Sequence, residues 1–300
     1  MKPKPPDSST KDHRLSMLST FACPSCGTDT IGHFCGKCGE KEVNQSDYSL
    51  RHYLKEFAAA LTLLDSKVLR SAWMLMKKPG YLSSEYFRGR RVRYMKPLQL
   101  FVFLNVIYYF SLSFFVATTF TTPLATQLHM NDYYPAHAKR LVSEKLQKDQ
   151  ISYEALEAKY NEKTSILSKT LIFLLIPIFA VLFYALFFKK RKYFAEHVVA
   201  ATHFWSFNLI LLGVILPIVT VVLTRLLKTI HISATYVAND NIASIALQIC
   251  IAIYLFAMLR RFYAASNWYC VAAASVIAWS FFHIVWFYRF FLFEITLRAV

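Results

Sequence analysis

Glycine is scarce in this chain, with seven residues among 300, and the 18 acidic residues are outnumbered by 34 lysines and arginines. The sequence contains no Gly-x-Ser-x-Gly, no His-Glu-x-x-His and no phosphate-binding loop. The lack of these catalytic motifs favours a non-enzymatic protein. Glycine-poor, apolar runs also suit helices that face lipid better than a tightly packed soluble sheet.

Hydrophobic residues make up 56% of the chain and aromatic residues 16%, whereas soluble domains are usually about 45–50% apolar. The net charge of +16 is typical of proteins that bind nucleic acid or anionic lipid. Here the basic residues lie beside long apolar runs, so the sequence predicts contact with anionic lipid headgroups and no nucleic acid. The composition therefore predicts an all-α integral membrane helical bundle.

Apolar segments long enough to cross a bilayer, which takes about 20 helical residues, occupy most of residues 98–300. We expect this transmembrane domain to have about five transmembrane helices, with an outer loop at 121–166 that holds a short helix near 138–161. Residues 193–224 are too long for one simple span and are either an approach helix followed by a span, one long span or a re-entrant segment. The predicted spans are 98–120, 170–188, 204–224, 242–259 and 268–290.

Positive charge predicts the orientation of the spans. Seven lysines and arginines lie in 77–96, four in 189–192 and two at 260–261, whereas the short connection 225–241 has two. Because positive loops stay in the cytoplasm, and because residues 1–20 are polar with no secretory apolar core, we expect a cytoplasmic N-terminus. Five spans then place the C-terminus outside. The first 20 residues, which are polar and rich in proline, are predicted to be a disordered tail.

Polar and proline residues within the spans carry two further predictions. Pro177 and Pro217 are expected to kink the second and third spans. Asn105, Asn208 and Gln248 are expected to form hydrogen bonds between helices.

Residues 49–97 connect the N-terminal part of the chain to the first span. Apolar side chains at helical spacing predict two amphipathic helices within 49–77, followed by a basic juxtamembrane segment at 77–97. We expect both helices to lie in the headgroup layer; the alternative is that they pack on each other or on the spans. The side chains expected to contact lipid headgroups are Arg88, Arg90, Arg91, Arg93 and Lys96.

Four of the six cysteines lie in residues 21–42, as Cys23-Pro-Ser-Cys26 and Cys35-Gly-Lys-Cys38. Each pair directs two thiolates at one ion, and four thiolates complete a tetrahedral zinc site with no open position for substrate. The sequence therefore predicts a zinc ribbon at 21–42 that holds one structural Zn²⁺, with iron or a redox-active dithiol as the alternatives. A cytoplasmic location keeps these thiols reduced.

The charges of the ribbon bear on its partner. Lys37 and Lys41 are countered by Asp29, Glu40 and Glu42, so no basic face for reading nucleic acid is predicted. We expect the ribbon to contact a cytoplasmic protein partner or to serve as a structural cap.

Ionisable residues inside spans are candidate functional groups because they are costly there. Glu196 and His203 are seven residues apart and share one face of a helix, and His197 and His283 are further candidates. Three interpretations stay open. The groups pair at the membrane interface, or form a structural polar network, or build a transport or catalytic site that binds metal or relays protons.

Several stretches resemble a known family through their residues and their order along the chain. The first is the cysteine module ahead of an amphipathic helix, and the others are Lys78-Pro79-Gly80, Glu85-Tyr86, Gly89, Arg91, Tyr94, Pro97, Glu196-His197, His203, Ser206-Phe207 and Leu259-Arg260-Arg261-Phe262-Tyr263. Together they resemble the bacterial domain-of-unknown-function family 3667, over about residues 20–290. The resemblance implies a bacterial inner-membrane protein and no known reaction. The plan of the chain is also similar to Yip-type membrane proteins, at the level of the fold alone.

The leading hypothesis from the sequence is a non-enzymatic membrane scaffold or regulator whose ribbon contacts a cytoplasmic partner. The alternative is a transporter or an intramembrane metal-dependent enzyme that uses Glu196 and His203.

Overall fold

The computed structural model divides the chain into two units, Met1–Asp65 and Ser66–Val300. The predicted tail before Thr20, the first of the two amphipathic helices and Arg91 lie outside the described residues. The described residues are 20–23, 26–32, 34–38, 67–90, 93–111, 120–129, 135–190, 193–229 and 240–300.

The first unit contains a short antiparallel hairpin. Strand β1 (Thr20–Ala22) pairs with β2 (Asp29–Ile31), with Phe21 opposite Thr30. Gly27 has a φ of 68° in the turn, a left-handed conformation that glycine adopts without steric cost. The turn that joins the two strands therefore contains both Cys23 and Cys26.

The second unit is built from helices, which begin with α1 at residues 67–77. The helices that follow are α2 (Tyr81–Phe87), α3 (Pro97–Ser111), α4 (Leu124–His129), α5 (Pro135–Asp149), α6 (Tyr153–Leu171), α7 (Leu175–Phe187), α8 (Phe194–Ile210), α9 (Leu216–Thr229), α10 (Asp240–Tyr263) and α11 (Asn267–Ala299).

Four helical segments in the described part of the chain are long and apolar enough to cross a membrane, which confirms the predicted all-α membrane bundle. They overlap the second to fifth predicted spans. The first predicted span is described as far as Ser111, by the 15 residues of α3, and residues 112–119 lie outside the description. The protein is a multi-pass membrane protein. The four segments are Tyr153–Phe187, Phe194–Leu227, Ala243–Tyr263 and Asn267–Ala299.

The helical hydrogen bonding changes ahead of each proline that was expected to kink a span. A 3₁₀ segment, Ile172–Leu174, joins α6 to α7 before Pro177, and a π-helical segment, Leu211–Ile215, joins α8 to α9 before Pro217. Proline lacks the N–H that a regular turn requires. The third segment is nevertheless one helical run from Phe194 to Thr229, without a re-entrant loop.

Aromatic side chains fill the core between the spans. Phe179 of α7 packs edge-on against Trp205 of α8 at 5.3 Å, and Trp205 stacks on Phe281 of α11 at 5.5 Å between centroids. All three are buried. Asn105 of α3 donates to the carbonyl of Lys169 at 3.1 Å, a bond between helices, whereas Asn208 donates to Phe204 in its own helix.

Residues 121–166 were expected to be a loop with one short helix, but their described residues, 121–129 and 135–166, form α4, α5 and most of α6. Gln150 turns the chain with a φ of 51°, and Ser152 caps α6 by accepting from the N–H of Ala155. The apolar side chains of α4, α5 and α6 pack on the end of α11. This helix continues to Ala299, whereas a short tail was expected after the fifth span. This second core consists of Leu124, Ala138, Val142, Leu156, Tyr160, Phe293 and Leu297.

Candidate metal centre and the polar junction of the bundle

Two of the four cysteines of the ribbon, Cys23 and Cys26, lie in the turn of the hairpin, and the other two follow β2. Cys23 directly follows β1, and its N–H donates to the Thr28 carbonyl at 3.0 Å. The N–H of Gly27 donates back to the Cys23 carbonyl at 2.8 Å, which closes the first knuckle around Cys26. Strand β2 ends at residue 31, residues 32 and 34 are described beyond it, and Cys35 and Cys38 come next. The hairpin thus places both C-x2-C pairs on one side.

The sulfur atoms of these cysteines form a compact group. All four lie within 4.8 Å of one another, with Cys23 and Cys38 at 3.4 Å and Cys26 and Cys35 at 3.6 Å. A tetrahedron with Zn–S bonds of about 2.3 Å separates its sulfurs by about 3.8 Å. The spacing therefore fits a zinc ion held by four thiolates. Among the described residues, this is the one group of three or more His, Cys, Asp or Glu side chains arranged to hold a metal.

Hydrogen bonding favours the thiolate form of two of these ligands. The pKa of Cys35 is lowered to about 5, first by the backbone of Cys38 and then by the Thr30 side chain and the Lys37 backbone. The pKa of Cys26 is also lowered, chiefly by the side chain and backbone of Thr28. A thiolate is the form that binds metal. The ribbon therefore presents anionic sulfur at neutral pH.

In the second unit, the segment ahead of the first span docks onto the bundle. Helix α1 buries Val68, Ser71 and Leu75, and exposes Leu69 and Trp73 on its other side. The Ser71 hydroxyl accepts from the N–H of Met95 at 3.0 Å. This helix thus packs on the rest of the unit with one face, as in the alternative considered above, while its other face leaves apolar side chains exposed.

Helix α2 and the turn before it contact both α8 and α10. The Tyr254 hydroxyl donates to the Leu75 carbonyl at 3.2 Å, and Arg261 donates to the Pro79 carbonyl at 2.8 Å. Ser83 Oγ lies 2.8 Å from His203 Nδ1, and both residues are buried. We call these contacts of residues 75–85 with α8 and α10 the polar junction.

The candidate ionisable residues of the spans have separate surroundings. His203 pairs with Ser83, whereas His197 Nδ1 lies 2.9 Å from the Tyr263 hydroxyl. Glu196 is buried at the start of α8. His283 donates from Nδ1 to the Trp279 carbonyl of its own helix at 3.0 Å. The described structure does not bring these residues together as one metal-ligating group.

The basic segment is organised around one buried carboxylate. Glu85 is 3% exposed, and its two oxygens each lie 3.2 Å from an arginine, Arg88 and Arg90. Both arginine side chains are about two-thirds exposed at 65% and 69%, so they reach the surface while they pair with Glu85. Arg93 and Lys96 are exposed as well.

Replacement of Ser83 by alanine is expected to destabilise the second unit by about 1–3 kcal/mol, because it leaves the buried Nδ1 of His203 without its hydrogen bond. Thermal unfolding of the purified protein in detergent measures the loss. Ser84→Ala is the matched control, since Ser84 bonds to the Gly80 carbonyl of its own helix and is half-buried. Equal melting temperatures for Ser83→Ala and wild type would contradict the proposed role of the Ser83–His203 pair.

The Glu85 ion pairs predict a pH dependence. Burial alone would raise the pKa of Glu85, but the hydrogen bonds from Arg88 and Arg90 outweigh it and hold the pKa below its usual value. The stabilisation is therefore present above the unfolded pKa of about 4.3 and is lost as pH falls through the lower folded pKa. We expect about 1 kcal/mol, because the arginines are exposed.

Melting curves of Glu85→Gln and wild type at pH 7 and pH 3.5 test this expectation. The difference between the two proteins should be present at pH 7 and should shrink at pH 3.5. A difference that is independent of pH would show that the carboxylate charge contributes nothing.

The fold and the cysteine cluster together define a multi-pass helical membrane protein with a candidate four-thiolate metal centre. The model of the family described as protein of unknown function (DUF3667) matches residues 65–109, which confirms the resemblance to that family over those residues. No curated protein and no solved structure matches the chain. The matched segment comprises α1, α2 and most of α3. The likeness to Yip-type proteins stays a prediction.

Sequence reasoning missed two residues of the polar junction. Ser83 and Tyr254 were not singled out, because serine and tyrosine occur widely and their partners lie 120 and 179 residues away. The Lys78-Pro79-Gly80 stretch was noted only through the family resemblance. A glycine directly after proline was the available signal for a close backbone contact.

Proposed function

We propose that the protein is a non-enzymatic membrane scaffold or regulator whose ribbon holds one structural zinc ion and contacts a cytoplasmic protein. The compact group of four sulfurs is the observation that carries the proposal, because four thiolates saturate zinc and leave no position for a substrate. The N-terminus is cytoplasmic and the membrane is the bacterial inner membrane in this proposal.

The ribbon offers an apolar surface for such a partner. Ile31 is 67% exposed and Phe34 is 62% exposed. The hairpin is small and has few apolar side chains, yet these two lie on its surface. Aromatic side chains such as phenylalanine are enriched at protein–protein interfaces. We therefore assign partner contact to the surface formed by Ile31 and Phe34.

Crosslinking followed by purification of the full chain from membranes tests this contact. Cys23→Ser with Cys26→Ser should lose both zinc and the partner, whereas Phe34→Ala should keep zinc and lose the partner. Lys37→Ala, an exposed change on the same unit, is the matched control and should recover the partner normally. Unchanged recovery with Phe34→Ala and with the cysteine variant would refute the proposal.

The second unit is proposed to sit against anionic lipid through its basic end. We use this name for the end of the bundle where α2, the α7–α8 connection and the α10–α11 connection lie. Its two described carboxylates, Glu85 and Glu196, are buried, so its exposed charge is positive, which favours a cytoplasmic position. The cations are Lys77, Lys78, Arg88, Arg90, Arg93, Lys96, Lys189, Lys190, Arg260 and Arg261.

Trp73 reports on this lipid contact. Its ring is 62% exposed, and Lys77 Nζ lies 5.6 Å from the ring centre, an arrangement that suits the headgroup layer. In reconstituted vesicles, brominated anionic lipid should quench Trp73 fluorescence more than brominated zwitterionic lipid, with Trp73→Phe supplying the background. The Arg93→Gln, Lys96→Gln variant should reduce this preference, and equal quenching by both lipids in wild type would refute the contact.

The alternative of a transporter or metal-dependent enzyme has weaker support. Glu196 and His203 do not join a metal-ligating group among the described residues, and His203 is engaged by Ser83. A structural role for His203 in docking α2 onto α8 accounts for its burial.

A further inference from the structure

An apolar groove runs between α7 and α11. Two adjoining cavities, of about 420 Å³ and 510 Å³, share Ile178, Ile284 and Phe287 in their walls. One extends toward Leu174 and the other toward Ala185. Because both helices belong to membrane-spanning segments, the groove opens toward hydrocarbon rather than water.

The dimensions of the groove match one lipid chain. From Leu174 to Ala185 the helix rises about 16 Å at about 1.5 Å per residue. One leaflet of the hydrocarbon core is about 15 Å thick, half of the whole. The lining is apolar apart from Ser280, His283 and the Tyr288 hydroxyl. His283 has its Nδ1 bonded to the Trp279 carbonyl, and the Tyr288 hydroxyl donates to the Ser168 carbonyl. The groove therefore suits an acyl chain and lacks the buried charged groups that a polar substrate would need.

One end of the groove meets the basic end. Lys189 and Lys190 follow Ala185 by about one helical turn and are exposed. Beside them, the hydroxyl of Tyr269 donates to the carbonyl of Leu186, and the neighbouring Trp268 is 86% exposed. Lysine beside interfacial tyrosine and tryptophan is the usual composition of a headgroup layer.

We infer that this groove binds a phospholipid with an anionic headgroup, one acyl chain lying between α7 and α11 and the phosphate resting on Lys189 and Lys190. The inference rests on the proposed contact of the basic end with anionic lipid and gives that contact a specific site. Charge favours lipid over a second copy of the chain. Copies in one membrane related by rotation about its normal would place like ends together, so basic end would meet basic end.

Native mass spectrometry of the delipidated, detergent-solubilised full chain tests the site, with dioleoylphosphatidylglycerol as the anionic probe and dioleoylphosphatidylcholine as the zwitterionic one. Wild type should retain one phosphatidylglycerol in preference to phosphatidylcholine. Ile284→Trp, which fills the groove, should weaken binding of both lipids by about tenfold, since about two methylenes lose their contacts. Ala185→Trp, at the mouth, should do the same if Ile284→Trp fails to fold.

Two further variants assign the headgroup. Lys189→Gln with Lys190→Gln should abolish the preference for phosphatidylglycerol and leave phosphatidylcholine binding unchanged. Lys169→Gln, five residues beyond Leu174 at the other end of the groove, should have no effect. Ile249→Trp on the exposed side of α10, where Ile249 is 55% exposed, is the matched control for an added indole.

Three outcomes would overturn the inference. They are wild-type binding by both tryptophan variants of the groove, an unchanged lipid preference in the Lys189, Lys190 variant, or loss of the preference in Lys169→Gln alone. None of these variants is expected to change recovery of the ribbon partner. A result that refutes lipid binding in the groove therefore does not refute the scaffold proposal. Loss of partner recovery with normal lipid retention would refute the scaffold alone.

Discussion

Replacing Cys23 and Cys26 together by serine is expected to lower the zinc content of the purified full chain from one ion per chain to none. Two of the four sulfurs that lie within 4.8 Å of each other are removed, and the two that remain cannot close a tetrahedral site. Structural zinc supplies about 10–16 kcal/mol of apparent binding free energy in small zinc modules. The described part of the ribbon is a hairpin of two three-residue strands, so its folding should depend on the metal.

Elemental analysis by mass spectrometry measures the ratio of metal to protein, and the same measurement tells zinc from iron. Cys250→Ser with Cys270→Ser is the matched control, because both cysteines lie in membrane-spanning helices and neither belongs to the four-sulfur group, and its ratio should stay at one. A ratio of one in the Cys23, Cys26 variant would refute the four-thiolate site. A ratio above one in wild type would instead support a second metal near Glu196 and His203.

The cysteine cluster was predictable from the sequence for a local reason. A C-x2-C pair fixes two sulfurs through its own short turn, and the hairpin needs only a few residues to bring Cys23–Cys26 to Cys35–Cys38. Hydropathy is likewise a property of each segment taken alone, so the four long apolar helices were predictable too. Both signals require no knowledge of which distant residues meet.

Contacts between distant segments were not predictable in the same way. Hydropathy marks where a segment is apolar, not where its helix ends, so the extension of α11 to Ala299 was missed. That extension is stabilised by Leu156 and Tyr160, which pack near Phe293 and Leu297. From the sequence alone, a moderately polar segment is predicted to be a loop, because its apolar residues are too few to indicate a span. Its helices become predictable only when the residues that it packs against are known.

The polar candidates illustrate the same limit. Glu196 and His203 share a helix face by periodicity, but periodicity cannot say that Ser83, 120 residues earlier in the chain, contacts His203. Likewise, Arg88 and Arg90 were predicted to be lipid contacts from their charge alone. The structure adds a buried acid, Glu85, that pairs with both.

Among substitutions that add one methyl group to the polar junction, Gly80→Ala is expected to cause the largest loss of stability. Gly80 has a φ of +78°, and a Cβ there would lie 2.6 Å from the carbonyl oxygen of Met258 in α10. The left-handed backbone costs about 1–2 kcal/mol for a residue with a Cβ, and overpacking costs a further 1–3 kcal/mol. We therefore expect a loss of about 2–5 kcal/mol in all, measured by thermal or denaturant unfolding in detergent.

Gly89→Ala separates the two causes. Gly89 has nearly the same backbone, with a φ of +82°, but nothing lies within 4 Å of an added Cβ. It should show the backbone cost alone, so the difference between the two variants measures the contact with Met258. Equal losses would mean that α10 does not press on the turn before α2.

The contact also predicts where the damage appears. Gly80 directly follows Pro79, whose carbonyl accepts from Arg261 of α10, and the Leu75 carbonyl one turn earlier accepts from Tyr254 of the same helix. Displacing the turn should lengthen both bonds and loosen α1 and α2 together. Hydrogen exchange in Gly80→Ala should therefore rise across residues 67–87 while α7 and α11 keep the protection of wild type. Uniform loss of protection throughout the second unit would show instead that the junction and the spans unfold as one.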